Sequence, residues 1–131
     1  MTASIIQRGT RFRRINLSRK TAHCPKCGAS SKRHSEGVRR LREMGITAPT
    51  VLEVTYSKHY CAGCRKHFSA PMDHLAPHCG RFTNRVRRTA VDLVLRDALT
   101  LDRAARRMAE RHFVHVPPTT LHDWVVEAAD A

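Results

Sequence analysis

Two Cys-x-x-Cys pairs, Cys24-Pro25-Lys26-Cys27 and Cys61-Ala62-Gly63-Cys64, constrain this chain more than any other feature. Two residues between paired cysteines let both sulfurs address one metal ion while the backbone N–H groups of the tight knuckle turn toward them. The two pairs complete one tetrahedral shell only if the second folds back onto the first, so the chain between them must reverse direction. Gly28, directly after Cys27, suits the positive φ that such a knuckle often needs. A chain of 131 residues has little core to spare, and a metal supplies the missing closure. The expectation is one structural Zn2+ held by Cys24, Cys27, Cys61 and Cys64. Four thiolates leave no coordination position for water, which argues against a small metallo-enzyme at this site. His23 and His67 adjoin the pairs as substitute ligands, but the cysteine set is already complete.

The chain opens on no apolar run of signal-peptide length, and no stretch approaches the roughly 20 apolar residues of a membrane span. A reducing cytoplasm and no membrane partner are therefore expected, and there close cysteine pairs favour metal over disulfides. His74, His78 and Cys79 raise a second metal site or a Cys/His nucleophile as an option, but no orienting group or oxyanion donor accompanies them. They read as exposed side chains and a spare thiol.

Around the cysteine clip the pattern divides the chain. Residues 1–22 carry Arg8, Arg11, Arg13, Arg14, Arg19 and Lys20 among scattered Ile5, Ile6, Phe12, Ile15 and Leu17, and read as a basic arm, either a solvated tail or a segment that follows a phosphate backbone. Residues 23–70 form the ribbon. Within them Val38, Leu41 and Met44 recur every third residue and allow a short helix. The β-forming run Thr50 to Tyr60 leads straight into Cys61, which favours a hairpin turning at Gly45 to Pro49. Arg65 to Ser69 reads as a short further strand. Residues 71–82, with Pro71, Pro77 and Gly80, have the composition of a linker.

From residue 83 to 131 the period is helical. Val86, Ala90, Leu93 and Val94 lie behind an N-cap at Thr83, and Leu101, Ala104, Ala105 and Met108 lie behind one at Thr100. After a break at two prolines, Thr120-Leu121-His122-Asp123 has capping-box form and opens a helix with Leu121, Trp124, Val125, Ala128 and Ala129 on one side. The predicted fold class is α+β, a small β zinc ribbon followed by a three-helix helix-turn-helix cluster.

Charge points to the partner. Lys and Arg number 24 against 11 Asp and Glu, a net +13 that stays strongly positive with a dication on four thiolates. Aromatic content of 5% disfavours a base-stacking platform, so double-stranded DNA contacted through its phosphates is the expected partner, and no small-molecule substrate is expected. Candidate contacts are Arg11, Arg13 and Arg14 on the arm, Arg39, Arg40 and Arg42 between the cysteine pairs, and Arg85, Arg88, Arg106 and Arg107 on the first two helices. The third helix is more acidic, so its amino end, at Thr119, Thr120 and His122, is the candidate for base edges. The alternative is a zinc-ribbon protein-interaction module, with the helices forming a homodimer.

The order Cys-Pro-x-Cys-Gly, Arg39-Arg40-Leu41-Arg42-Glu43, a β-run into Cys-x-x-Cys, then Arg81-Phe82-Thr83 and Thr120 to Trp124 resembles the amino-terminal region of insertion-sequence transposases of the ISL-three family. The resemblance covers roughly residues 22 to 129. It implies zinc ligation by the same four cysteines and recognition of terminal inverted repeats, with DNA cutting left to a following RNase-H-like domain that carries a DDE carboxylate triad. Arg65 departs from that pattern, which commonly has glycine after the fourth cysteine, and the segment His112 to Pro118 is long for the turn before a reading helix. No spaced carboxylates follow the helices, so the chain is expected to bind DNA and not to cut it.

Overall fold

A computed structural model of the chain describes residues 9–77 and 80–130. Arg8, Ile5, Ile6, His78 and Cys79 lie outside the described residues. The fold is α+β: a five-stranded sheet, β1 (Arg11–Asn16), β2 (Thr21–His23), β3 (Ser30–Glu43), β4 (Thr50–Cys61) and β5 (Lys66–Ser69), followed by helices α1 (Asn84–Leu95), α2 (Leu101–His112) and α3 (Pro118–Asp130).

The long hairpin β3–β4 is the spine. It pairs antiparallel from Arg33 opposite His59 to Glu43 opposite Thr50, so the stretch whose three-residue spacing allowed a helix is a strand. The expected turn is present, and Gly45 is required there because a Cβ at that position would lie 1.8 Å from the Ala48 carbonyl oxygen. β2 pairs with the start of β3, and β5 with the end of β4. Both cysteine pairs therefore sit at the same end of the spine.

The arm reading fails for residues 11–16. They form β1, which pairs parallel to β4 with Ile15 beside Val54, flanked by Arg11 N–H to Pro49 O (2.8 Å) and Leu17 N–H to Thr55 O (2.8 Å). Ile15 and Leu17 pack on Leu52 and Val54, and that long-range pairing leaves no trace in the local pattern of an arginine-rich segment. Arg11, Arg13 and Arg14 are exposed on an edge strand, where charge also discourages edge-to-edge association.

The linker reading of 71–82 also fails. Met72 and Ala76 are buried against Leu41, Leu52 and Val54, with Leu75 beside them. Arg39 fastens the segment by donating from Nη2 to the carbonyls of Pro77 (3.1 Å) and Gly80 (2.7 Å). An irregular segment packs through single residues, so it shows no apolar period even when covered.

The helices cluster around Val86, Ala90, Leu93, Ala104, Met108 and Leu121, all buried. Thr83 and Thr100 cap α1 and α2 as expected, each side chain accepting the N–H three residues on. α3 begins at Pro118 and not at Thr120: proline lacks the N–H that a first helical position leaves unused, and its fixed φ suits the entry. The long connection before it contributes core, because Val114 (3% exposed) and Val116 (0%) plug the space between helices.

Sheet and helices are welded. Arg42 N–H donates to Arg81 O (2.7 Å), Thr83 N–H to Arg42 O (3.1 Å) and Gly45 N–H to His112 O (2.7 Å). The buried Glu43 carboxyl oxygen Oε1 accepts from the Thr83 hydroxyl (2.9 Å) and from Met44 N–H (2.8 Å), joining the end of β3 to the cap of α1. Glu43→Ala strands both donors in a covered site, and is expected to lower stability by about 2–3 kcal/mol in a urea titration. Glu43→Gln keeps an acceptor oxygen and is expected to lose less.

Candidate metal centre and basic surface

The end of β4 and its turn deliver Cys61 and Cys64, while the knuckle after β2 delivers Cys24 and Cys27. Cys24 N–H donates to Ala29 O (2.9 Å) and Gly28 N–H to Cys24 O (2.8 Å), closing the first knuckle. In the second, Cys64 N–H donates toward Cys61 Sγ (3.5 Å). Gly28 and Arg65, the residues after each pair, both take left-handed backbone at φ 75° and 55°. Gly28 fits the expectation. At Arg65 the same turn is made by a residue with a Cβ, which such a conformation penalises.

The four sulfurs lie within 4.8 Å of one another, with Cys24 Sγ 3.9 Å from Cys64 Sγ and Cys27 Sγ 3.5 Å from Cys61 Sγ. A tetrahedral ion with metal–sulfur bonds of about 2.3 Å needs sulfurs about 3.8 Å apart, whereas a disulfide needs them about 2.05 Å apart. The spacing fits a metal ion and not a disulfide. Electrostatics agree. The N–H groups of Cys27 and Lys26 point at Cys24 and lower its thiol to about 6, while hydrogen bonds that the Cys64 thiol shares with the sulfurs of Cys27, Cys24 and Cys61 favour its protonated form and raise it to about 12. One sulfur is prepared as a thiolate and another is held protonated by its neighbours. A bound cation reverses that resistance, since it needs all four as thiolates.

His23 and His67 do not replace a cysteine: the clustered set is the four thiols alone among the described residues. His23 Nδ1 contacts Gly28 O (3.2 Å), and the His67 ring lies against Tyr60 and His34. Sequence reasoning missed His59. It is fully buried, Nδ1–H donating to Ser31 O (3.0 Å) and Nε2 accepting from the Ser57 hydroxyl (2.7 Å), which itself accepts from Arg19 N–H (3.1 Å). A carbonyl can only accept, so this contact places the proton on Nδ1. The signal was the alternation Ser57, His59, Cys61, three covered side chains on one face of β4 leading to the metal end.

The candidate phosphate contacts divide into two groups. Arg39 is used internally, as described. Arg42 is half-buried with its guanidinium 5.5 Å from the Phe82 ring centre, and burial, then the charge of Arg81, pull it below its usual value. Arg40, Arg85, Arg88, Arg106 and Arg107 are exposed and, among the described residues, have no side-chain partner. On α2, Arg103, Arg106, Arg107 and Arg111 are exposed, with Arg106 opposite buried Ala104 and Met108 and Arg107 and Arg111 flanking the buried face. Thr119 and His122 are exposed at the start of α3, with Thr120 half-buried. Thr119 and His122 adjoin Asp102 and Asp123, and His122 Nδ1 lies 3.5 Å from the Asp123 carboxylate, whereas Thr120 lies with Arg42, Arg81 and Arg87.

Among the described residues, no helix is long and apolar enough to cross a membrane. Comparisons with family models, with curated proteins and with solved structures find no significant match to the chain.

Proposed function

We propose that this chain binds double-stranded DNA, as the non-catalytic, end-recognising part of a transposase, with a structural Zn2+ closing a β ribbon ahead of a helix-turn-helix. The observation that carries the reading is the set of exposed arginines on α1 and α2, Arg85, Arg88, Arg103, Arg106, Arg107 and Arg111. Exposed guanidiniums that have no carboxylate partner among the described residues repel one another unless an anionic surface covers them. The zinc assignment rests on four sulfurs at tetrahedral spacing, the usual donor set of structural zinc.

In this reading the metal does no chemistry on DNA. It fixes the far end of the hairpin, so that Arg14 and Arg40, on the two strands that flank β4 at Glu53, and the helices welded to β3, keep a constant relative placement. Phosphate contacts come from α1 and α2. Base contacts come from Thr119, Thr120 and His122; the acidic surroundings of Thr119 and His122 suit hydrogen bonding to base amino groups better than approach to a phosphate. Selection of bound sequences from a random duplex pool is expected to enrich one motif, and replacing Thr119 and His122 by alanine to relax it. A bound pool without any sequence bias would reduce the chain to a merely basic surface.

A further inference from the structure

A cleft of about 390 Å³ opens where the sheet meets the helices, lined by Arg42, Arg81, Arg87, Phe82, Thr120 and Trp124 among others. Its described lining holds three guanidiniums and no carboxylate. Arg42 and Arg81 are tied together by the 2.7 Å backbone bond, and their like charges face each other where burial has already removed water from Arg42. Two guanidiniums side by side at the mouth of a cleft suit a phosphate, whose oxygens accept charge-assisted hydrogen bonds. The rest of the cleft is aromatic. Trp124 stands edge-on to Phe82, with ring centres 5.3 Å apart at 84°, and the Arg87 guanidinium lies 5.9 Å from the Trp124 ring. An ion pair from Arg87 to Glu127 on the rim holds that arrangement.

Cations bordering a π surface recognise a phosphate that carries a flat ring. The volume lies at the small end of ligand sites, enough for one nucleotide and too little for a stack. An intact duplex offers phosphates but keeps its bases stacked and out of reach.

We propose that this cleft binds one unstacked nucleotide of a DNA strand, its phosphate between Arg42 and Arg81 and its base against Trp124. The site thereby distinguishes a frayed or protruding strand end from continuous duplex. This rests on the DNA-binding reading above, with free nucleotide as the other source of the same chemistry.

Trp124 is the only tryptophan of the chain and reports on the cleft directly. The metal-loaded protein is titrated with a blunt duplex, the same duplex bearing one unpaired terminal nucleotide, the same overhang without its base, and deoxyadenosine monophosphate. The overhang is expected to bind about tenfold more tightly than the blunt duplex, the scale of one base–aromatic stack, and to quench Trp124 emission. The abasic overhang loses that gain, and Arg81→Ala brings overhang affinity down to the blunt level. The Arg81 side chain is exposed and its structural bond is through the backbone, so the variant keeps the fold, which metal content verifies. Quenching by the free nucleotide at higher concentration supports the same site. Equal affinities for blunt and overhang ends with unchanged emission would overturn the proposal and leave duplex binding intact. Failure of the blunt duplex to bind would defeat the DNA reading, with the cleft then judged by the free nucleotide alone.

Discussion

Cys61→Ser, or chelation of the metal, is expected to melt the metal end of the sheet while the helices stay folded. The two apolar clusters lie elsewhere: one groups the helices with Met44, the other groups Leu41, Leu52 and Val54 with Met72 and Ala76. The metal end has almost no apolar core of its own. Its covered residues are Ala22, Cys24, Ser31, Ser57, His59 and Cys61, and the hydrogen bonds through His59 connect strands without providing hydrophobic free energy. A structural metal ion on four thiolates contributes on the order of 10 kcal/mol, the scale known for zinc, so its removal is expected to speed amide exchange there by on the order of a thousandfold or more. Exchange followed by mass spectrometry should show this for residues 21–32 and 58–69, with protection of α1 and α2 little changed. Uniform loss of protection across the chain would mean that the sheet and helices fold as one unit with the metal.

Replacing Arg85, Arg88, Arg106 and Arg107 together by alanine is expected to lower duplex affinity by on the order of a thousandfold near 0.1 M salt and to flatten the salt dependence by about four units of slope. All four are exposed and have no side-chain partner among the described residues, so folding and metal content should be unaffected. The matching change of Arg39 acts differently. It releases the segment bearing Met72 and Ala76 from the sheet, and should be read out as lost stability before any loss of binding.

The contrast between those arginines shows what the sequence could reveal. Cysteine spacing is a geometric constraint on a single metal, so the cluster of four cysteines was legible at once, and with it the hairpin that brings them together. The capping threonines Thr83 and Thr100 were legible because a helix start is decided locally. β1 was not, because its partner β4 lies far along the chain and its charged residues obscure Ile15 and Leu17. Met72 and Ala76 were not, because an irregular covering segment carries no period. Arg39 and Arg42 look like their neighbour Arg40 in sequence, and only tertiary packing turns them inward. His59 was hidden because a buried histidine has no signature apart from the alternation it shares with Ser57 and Cys61.

The central claim is that a metal-closed sheet presents arginine-bearing helices to the DNA backbone. Its most direct test is titration of the metal-loaded chain with a duplex over a series of salt concentrations. The account predicts binding whose log affinity falls linearly with log salt at a slope of about −5 or steeper. An affinity indifferent to salt, or no binding at low salt, would contradict it.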